Sequence, residues 1–213
     1  MSLQADLEAE VRRVWQDQSD GAHDIWHLRR VWANCCAILT DMPDGAGHVD
    51  RDALMIAAFL HDVINLPKDD PARADAARLS ADHAVAWMAV RGMGGQDTVH
   101  HAICAHSFSA GVPCATDTAR ILQDADRLEA LGAIGIARCF NVSGQMGAGL
   151  FHGGDPLGHA RDLDDRAYAL DHFEVKLYRI AETLHTAPAR KIAAERVAFM
   201  RGFVAQMVKE LGA

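Results

Sequence analysis

The sequence predicts an all-α protein that folds as a single-domain helical bundle. Few segments alternate apolar and polar residues, and aromatic residues make up only 6% of the chain. Most segments instead repeat apolar residues every three or four positions, the spacing of one helical face. The 213 residues are 50% hydrophobic and 23% charged, as in globular proteins long enough to bury a core of their own.

The first third of the chain predicts three helices. Residues 3–18 and 24–40 are amphipathic, with apolar side chains along one face. Residues 51–64 read RDALMIAAFLHDVI and are apolar nearly all round. This third helix is therefore expected to be central and buried.

The middle of the chain predicts three more helices. Residues 71–91 are amphipathic, and residues 97–106 form a shorter helix. Residues 116–140 are a long helical stretch, which we expect to bend near Gly132 and Gly135 because glycine weakens a helix interior.

Two further helices are predicted at residues 165–186 and 189–211, and loops fall where glycine and proline cluster. The predicted loops are 42–48, 92–95, 107–115 and 141–158. The last of these contains six glycines, which suits either a mobile flap over a site or a plain insertion.

The charge balance excludes some classes of partner. Acidic residues number 29 against 21 basic ones, so the net charge is -8. Nucleic-acid binding and anionic-membrane binding both need a basic surface, so we expect neither.

The N-terminus lacks the apolar core of a secretory signal, and five scattered cysteines suit reduced thiols. We therefore expect a cytoplasmic protein.

The most informative polar residues are His61 and Asp62, which follow ALMIAAFL in the most apolar predicted helix. A carboxylate in such a segment is costly unless it is paired or bound to a cation. Two readings stay open for the pair. Asp62 either caps a neighbouring helix while His61 bonds to backbone, or both belong to a metal site.

Other candidate ligands lie on two further helices. His23 and His27 are four residues apart on one helical face, although each alone is more typical of a structural histidine. Asp124 has arginines one turn away in both directions, which indicates salt bridges to Arg120 and Arg127. Asp126 has apolar neighbours instead and is the better candidate for a metal carboxylate.

Histidine and aspartate ligands together suit one of several divalent metals better than calcium. We expect Mn, Mg, Fe, Co, Ni or Zn, an ion that activates water and neutralises phosphoryl oxygens.

The order His27, His61-Asp62, Asp126 resembles the H…HD…D signature of the HD-domain metal-dependent phosphohydrolase superfamily. The flanking residues agree with it: H-x-x-R-V begins at His27, A-A-F-L-H-D ends with His61-Asp62, and D-A-D-R-L surrounds Asp126. Further segments resemble a subgroup of small bacterial HD hydrolases, some of which are nucleoside triphosphate pyrophosphohydrolases. They are NLPKDD with Lys68, HSFS at 106–109, QDADRLEALGAIGIAR at 123–138 and DHFEVKL at 171–177.

The resemblance implies that His27, His61, Asp62 and Asp126 bind the metal, on five core helices of an HD-type fold. It implies one domain over 1–213, with the metal-site core at about 20–140 and C-terminal helices at about 160–211 packed on it.

In one respect the chain departs from several HD nucleotidases, which carry acidic residues just after the HD pair. Here the next acid is Asp69. Proton transfer is therefore left to Asp62, a metal-bound hydroxide or Glu129, one turn after Asp126.

The expected catalytic residues are Asp62, Lys68 and Glu129. The expected substrate-binding residues are Arg30, Lys68, His106 and Lys176; His106 is alternatively a second metal ligand or a plain helix-end histidine.

We thus expect a hydrolase in which a metal-activated water cleaves a small phosphorylated substrate, a nucleotide. Conversion of a nucleoside triphosphate to monophosphate and pyrophosphate is favoured. The alternatives are a nucleoside monophosphate phosphatase, a non-catalytic HD sensor that binds a nucleotide or metal, and a purely structural helical module. The apolar terminal helix suits a monomer or a homodimer.

Overall fold

A computed structural model describes residues 2–16, 24–42, 46–66, 70, 72–107 and 110–212. Nine α-helices occupy this part of the chain. They are α1 (Leu3–Trp15), α2 (Ile25–Thr40), α3 (Arg51–Leu60), α4 (Ala76–Ala89), α5 (Gln96–His106), α6 (Asp117–Arg127), α7 (Gly132–Gln145), α8 (Tyr178–Ile180) and α9 (Ala187–Glu210). No strand occurs among the described residues, where a single parallel bridge joins Gly149 and Tyr168. The all-α prediction is confirmed.

The chain divides into two compact units, Met1–Asp126 and Arg127–Ala213. In the first unit α3 packs against α1, α2, α4 and α5. Its side chains are buried nearly all round, with Leu54, Phe59 and Leu60 fully inaccessible to solvent. The prediction of a central buried helix over 51–64 is therefore right in position, but the helix ends at Leu60. His61 and Asp62 lie in the turn that follows it.

The second unit begins with a break in the predicted helix over 116–140. A 3₁₀ turn at Leu128–Ala130 follows α6, and α7 starts at Gly132. Gly132 has a φ of +74°, a conformation that favours glycine. A Cβ at Gly135 would lie 2.2 Å from the Ala130 carbonyl oxygen. The break in the helix therefore falls at the two glycines where the sequence predicted a bend.

The glycine-rich stretch of the second unit is shorter than the predicted 141–158, because α7 continues to Gln145. The helix predicted at 165–186 is also shorter. It consists of a π-helical turn at Phe173–Leu177, then α8, then a 3₁₀ turn at Ala181–Thr183. The residues before this π-helical turn form a loop that is held by Asp171. The carboxylate of Asp171 accepts hydrogen bonds from the Arg161 side chain and the Asp164 backbone N–H.

All five cysteines are free thiols. None of the helices in the described ranges combines the length and the apolar composition needed to cross a bilayer.

Candidate metal centre

Five acidic and histidine side chains meet in the first unit at the ends of four helices. His27 is the third residue of α2, and its backbone N–H donates to the N-cap Asp24 at 2.8 Å. The other four lie at helix C-termini: His61 and Asp62 after α3, His106 at the end of α5, and Asp126 in the last turn of α6. The C-terminus of a helix carries partial negative charge. Three such ends and two carboxylates therefore favour a cation at this position.

The tautomer of His61 follows from its backbone contact. Its Nδ1 lies 2.9 Å from the carbonyl oxygen of Ala58, one of the last carbonyls of α3. A carbonyl only accepts, so Nδ1 carries the proton and Nε2 holds a lone pair. This Nε2 atom is fully buried and makes no hydrogen bond to any residue that the structure describes. A buried acceptor of this kind is available to bind a metal ion.

The spacing of the donor atoms fits one ion. Oδ1 of Asp126 lies 3.5 Å from Nε2 of His27 and 3.9 Å from Nε2 of His61. Oδ2 of Asp62 lies 3.5 Å from the same His61 atom. Nitrogen and oxygen ligands bind divalent metals at about 2.0–2.2 Å, so two ligands of one ion are at most about 4.4 Å apart. All three distances meet this limit.

His106 and His61 join a second group of possible ligands with Asp62, alongside the group of His27, His61 and Asp126. The two groups share His61, which has only one lone pair available. One imidazole nitrogen binds one ion, so His61 can be a ligand in only one of the two groups at a time.

The surroundings shift the pKa values of two histidines in opposite directions. Burial lowers the pKa of His61 to about 4, although the charges of Asp62 and Asp126 oppose it. Burial also disfavours protonated His106, but a hydrogen bond to Asp62 and the nearby carboxylates outweigh it and raise the pKa of His106 to about 8. His61 is therefore neutral at pH 7 and able to bind a metal, whereas His106 is largely protonated.

A cavity of about 350 Å³ opens beside Asp62 and His106. Its remaining wall consists of Ile64, Asn65, Arg73, Ala74, Ala76, Ala77 and Ser107. Arg73 is the cation of this wall, and its Nη1 donates to the carbonyl oxygen of Leu66 at 2.5 Å. Arg73 could not be selected from the sequence by its pattern, since a lone arginine in a polar segment has no distinguishing neighbours. Its position five residues after Lys68 was the one available signal.

The remaining site residues predicted from the sequence are not among the five side chains of the candidate metal centre. Lys68 and His23 lie outside the described residues. Arg30 is half-buried on α2, one turn after His27. Glu129 and Lys176 belong to the second unit. Glu129 is 3% exposed there and near Arg196, whereas Lys176 is exposed.

The prediction for Asp124 needs one correction. Arg120 does not bind Asp124 but donates to Asp117 at 2.7 Å, one turn earlier on the exposed side of α6. Asp124 itself is fully buried. Helical spacing would allow Arg120 to pair with either Asp117 or Asp124. The pair with Asp117 is favoured because that carboxylate is partly exposed, so the guanidinium stays hydrated there.

Comparisons with known proteins extend over nearly the whole chain. A family model described as the HD domain matches residues 25–131. The chain is 35% identical to the uncharacterized protein YpgQ of Bacillus subtilis, over 96% of this chain and 94% of that protein. The crystal structure of that YpgQ in complex with ADP superposes with a TM-score of 0.73 at 28% identity, covering 98% of this chain and 94% of the other.

A second solved structure is equally similar. It is an HD-superfamily hydrolase from Bacillus thuringiensis, with a TM-score of 0.73 and 28% identity, covering 99% of this chain and 97% of that one. The fold of this chain is thus similar to that of both proteins over at least 94% of their length.

Proposed function

The chain belongs to the HD domain family, and we propose that it is a metal-dependent phosphohydrolase that acts on nucleotides. The observation that carries the proposal is the buried lone pair of His61 Nε2, surrounded by the side chains of His27, Asp62 and Asp126. A purely structural His-Asp pair would place a donor at this nitrogen. Among the described residues none bonds to it.

In this proposal His27, His61, Asp62 and Asp126 hold one divalent ion, drawn from Mn, Mg, Fe, Co, Ni and Zn. The ion supplies two things when bound: it lowers the pKa of a water molecule and offsets the charge of phosphoryl oxygens. Mixed imidazole and carboxylate donors suit this range of ions, and four protein ligands leave positions for water and substrate on an octahedral ion.

Asp62 has the best position for proton transfer. Its carboxylate is 30% exposed and lies in the cavity wall, with Oδ2 directed at His61 and Oδ1 at His106. We therefore assign Asp62 to orient the attacking water and accept its proton. Glu129 stays a second candidate for the proton, on the strength of its sequence position one turn after Asp126.

Two observations support a nucleotide as the substrate: the cavity beside Asp62 and a structure of the relative YpgQ. YpgQ of Bacillus subtilis was crystallised with ADP, and we propose that this chain also binds a nucleotide polyphosphate. Arg73 is placed to hold phosphate oxygens in the cavity beside Asp62. Lys68, Arg30 and Lys176 are the further cations proposed from the sequence.

The favoured reaction is cleavage of a nucleoside triphosphate to monophosphate and pyrophosphate. Water adds across the bridge between the α- and β-phosphorus atoms, and the bridging P–O bond breaks. A cation in a cavity next to the ligands supports this choice, since a longer phosphate chain needs charge beyond the metal centre. Phosphatase action on monophosphates and a non-catalytic sensor are the alternatives.

The test uses metal-stripped protein resupplied separately with each candidate ion and offered a panel of nucleotides, with orthophosphate and pyrophosphate measured separately. Asp62→Asn and Asp126→Asn are expected to abolish metal-dependent turnover. Asp117→Asn is the matched control, because Asp117 lies on the same helix as Asp126 but pairs with His48 and Arg120.

The released product identifies the bond. Pyrophosphate supports the favoured reaction, and orthophosphate from monophosphates supports the phosphatase. Metal binding without turnover on any nucleotide would favour the sensor. If the wild-type protein binds none of the ions, the ligand set is wrong.

A further inference from the structure

Two buried amide side chains flank Asp126 and join its helix to the helices of two other site histidines. Asn34 donates from Nδ2 to the carbonyl oxygen of Ala125 at 3.0 Å. Gln123 donates from Nε2 to the carbonyl oxygens of Ala105 at 2.8 Å and His106 at 3.4 Å. We propose that Asn34 and Gln123 are positioning residues that hold Asp126 in register with its partner ligands. The inference rests on the proposed metal site.

Asn34 connects α6 to the helix that carries His27. His27 and Asn34 are seven positions apart on α2, or about two helical turns, so they share one face of that helix. His27 meets Asp126 from that face, and Asn34 meets the residue immediately before it. Moving α6 along α2 would break both contacts together.

Gln123 connects α6 to the end of α5. It precedes Asp126 by three residues and so shares its face of α6. Its two acceptors are the last carbonyls of α5, which have no intrahelical partner. Among them is the carbonyl of His106, whose imidazole faces Asp62. Gln123 thereby fixes Asp126 relative to the other side of the site.

Asp126 needs this support because of its location. It comes from the last turn of α6, next to the boundary of the first unit, and one oxygen faces two imidazole nitrogens. Both amides are at least 94% buried, with exposed fractions of 6% for Asn34 and 5% for Gln123. Groups that orient metal ligands in this way typically change metal affinity about 10–100-fold when they are replaced.

The test measures Mn²⁺ binding to the full chain by isothermal titration calorimetry. Asn34→Leu and Gln123→Met keep the side-chain size but remove the donated hydrogen bond. Val99→Ala is the control: it removes buried methyl groups from α5, about two turns from His106. If Asn34→Leu does not fold, Asn34→Ala replaces it, since the smaller side chain leaves room for water at the carbonyl. Circular dichroism establishes the temperature at which all variants are folded.

We expect the Mn²⁺ dissociation constant to rise about 10-fold or more in both amide variants, and to stay within about twofold of wild type in Val99→Ala. A merely structural role for the amides predicts lower melting temperatures but unchanged Mn²⁺ affinity, and that result overturns the inference while leaving the metal site intact. Failure of the wild-type protein to bind Mn²⁺ or any other candidate ion overturns the metal site and the inference together.

Discussion

The Nε2 atom of His106 lies 3.3 Å from Oδ1 of Asp62, while the other oxygen of the same carboxylate faces His61. The two oxygens of Asp62 therefore have different neighbours. His106 is itself held by its Nδ1 contact of 2.6 Å with the Ile103 carbonyl oxygen. This arrangement directs one oxygen of Asp62 toward His61, a candidate metal ligand, and the other toward the fixed imidazole of His106.

We expect His106→Ala to lower kcat/KM on the preferred nucleotide by about 10–100-fold, because Asp62 loses the donor that orients it. Steady-state kinetics with saturating metal check this. His100→Ala is the matched control on the same helix, since His100 is partly exposed and pairs with Asp82. Equal activity of the two variants would remove His106 from the site.

Arg73 is expected to act in substrate binding. Arg73→Ala should raise KM for nucleoside triphosphates about 10-fold or more and change kcat much less, because a phosphate contact that is equal in ground and transition states mainly affects binding. Arg78→Ala should leave both constants unchanged, since Arg78 pairs with Asp75 and Asp82 on the surface. An unaltered KM in Arg73→Ala would assign phosphate binding to other cations.

Glu8 makes stability depend on pH. Two hydrogen bonds from Arg29, at 2.8 and 2.5 Å, are the largest cause that lowers the pKa of Glu8 from 4.5 to about 2. The folded protein holds this carboxylate charged where the unfolded chain would protonate it. Glu8 therefore makes its full contribution to the free energy of unfolding above pH 4.5, and this contribution is lost as the pH falls toward 2.

Because solvent reaches Arg29, we expect Glu8→Gln to lower the free energy of unfolding by only about 1 kcal/mol at pH 7. Urea unfolding at pH 7 and pH 3 measures this. The difference between wild type and variant should shrink at pH 3; a difference that is constant with pH would mean that the lost contact is not electrostatic.

In the second unit, Asp171→Ala is expected to lower the free energy of unfolding by about 3 kcal/mol. Asp171 is fully buried, and its removal leaves Arg161 without its bidentate partner. Asp165→Ala should cost at most about 1 kcal/mol, since its pair with His172 is partly exposed. Chemical unfolding of both variants tests this, and similar losses would contradict a buried ion pair.

Part of the site could be predicted from local pattern. The apolar run before His61 predicted a buried helix, and apolar neighbours separated Asp126 from Asp124. The end of that helix at Leu60 was not predicted, because Val63 and Ile64 continue the apolar pattern beyond it. Backbone contacts set the end instead: the imidazole of His61 bonds to the Ala58 carbonyl, and the hydroxyl of Ser80 accepts from the Ile64 backbone N–H at 3.0 Å.

By itself the sequence determined the helical class and the residue types of the candidate metal centre, because helical periodicity and short motifs are local properties of the chain. Only the tertiary structure decided that His106 faces Asp62, that Arg73 lines the adjoining cavity, and that Asn34 reaches Ala125 across 91 residues. Such contacts depend on how helices pack against one another. No spacing along a single helix specifies which distant carbonyl or carboxylate a side chain will meet.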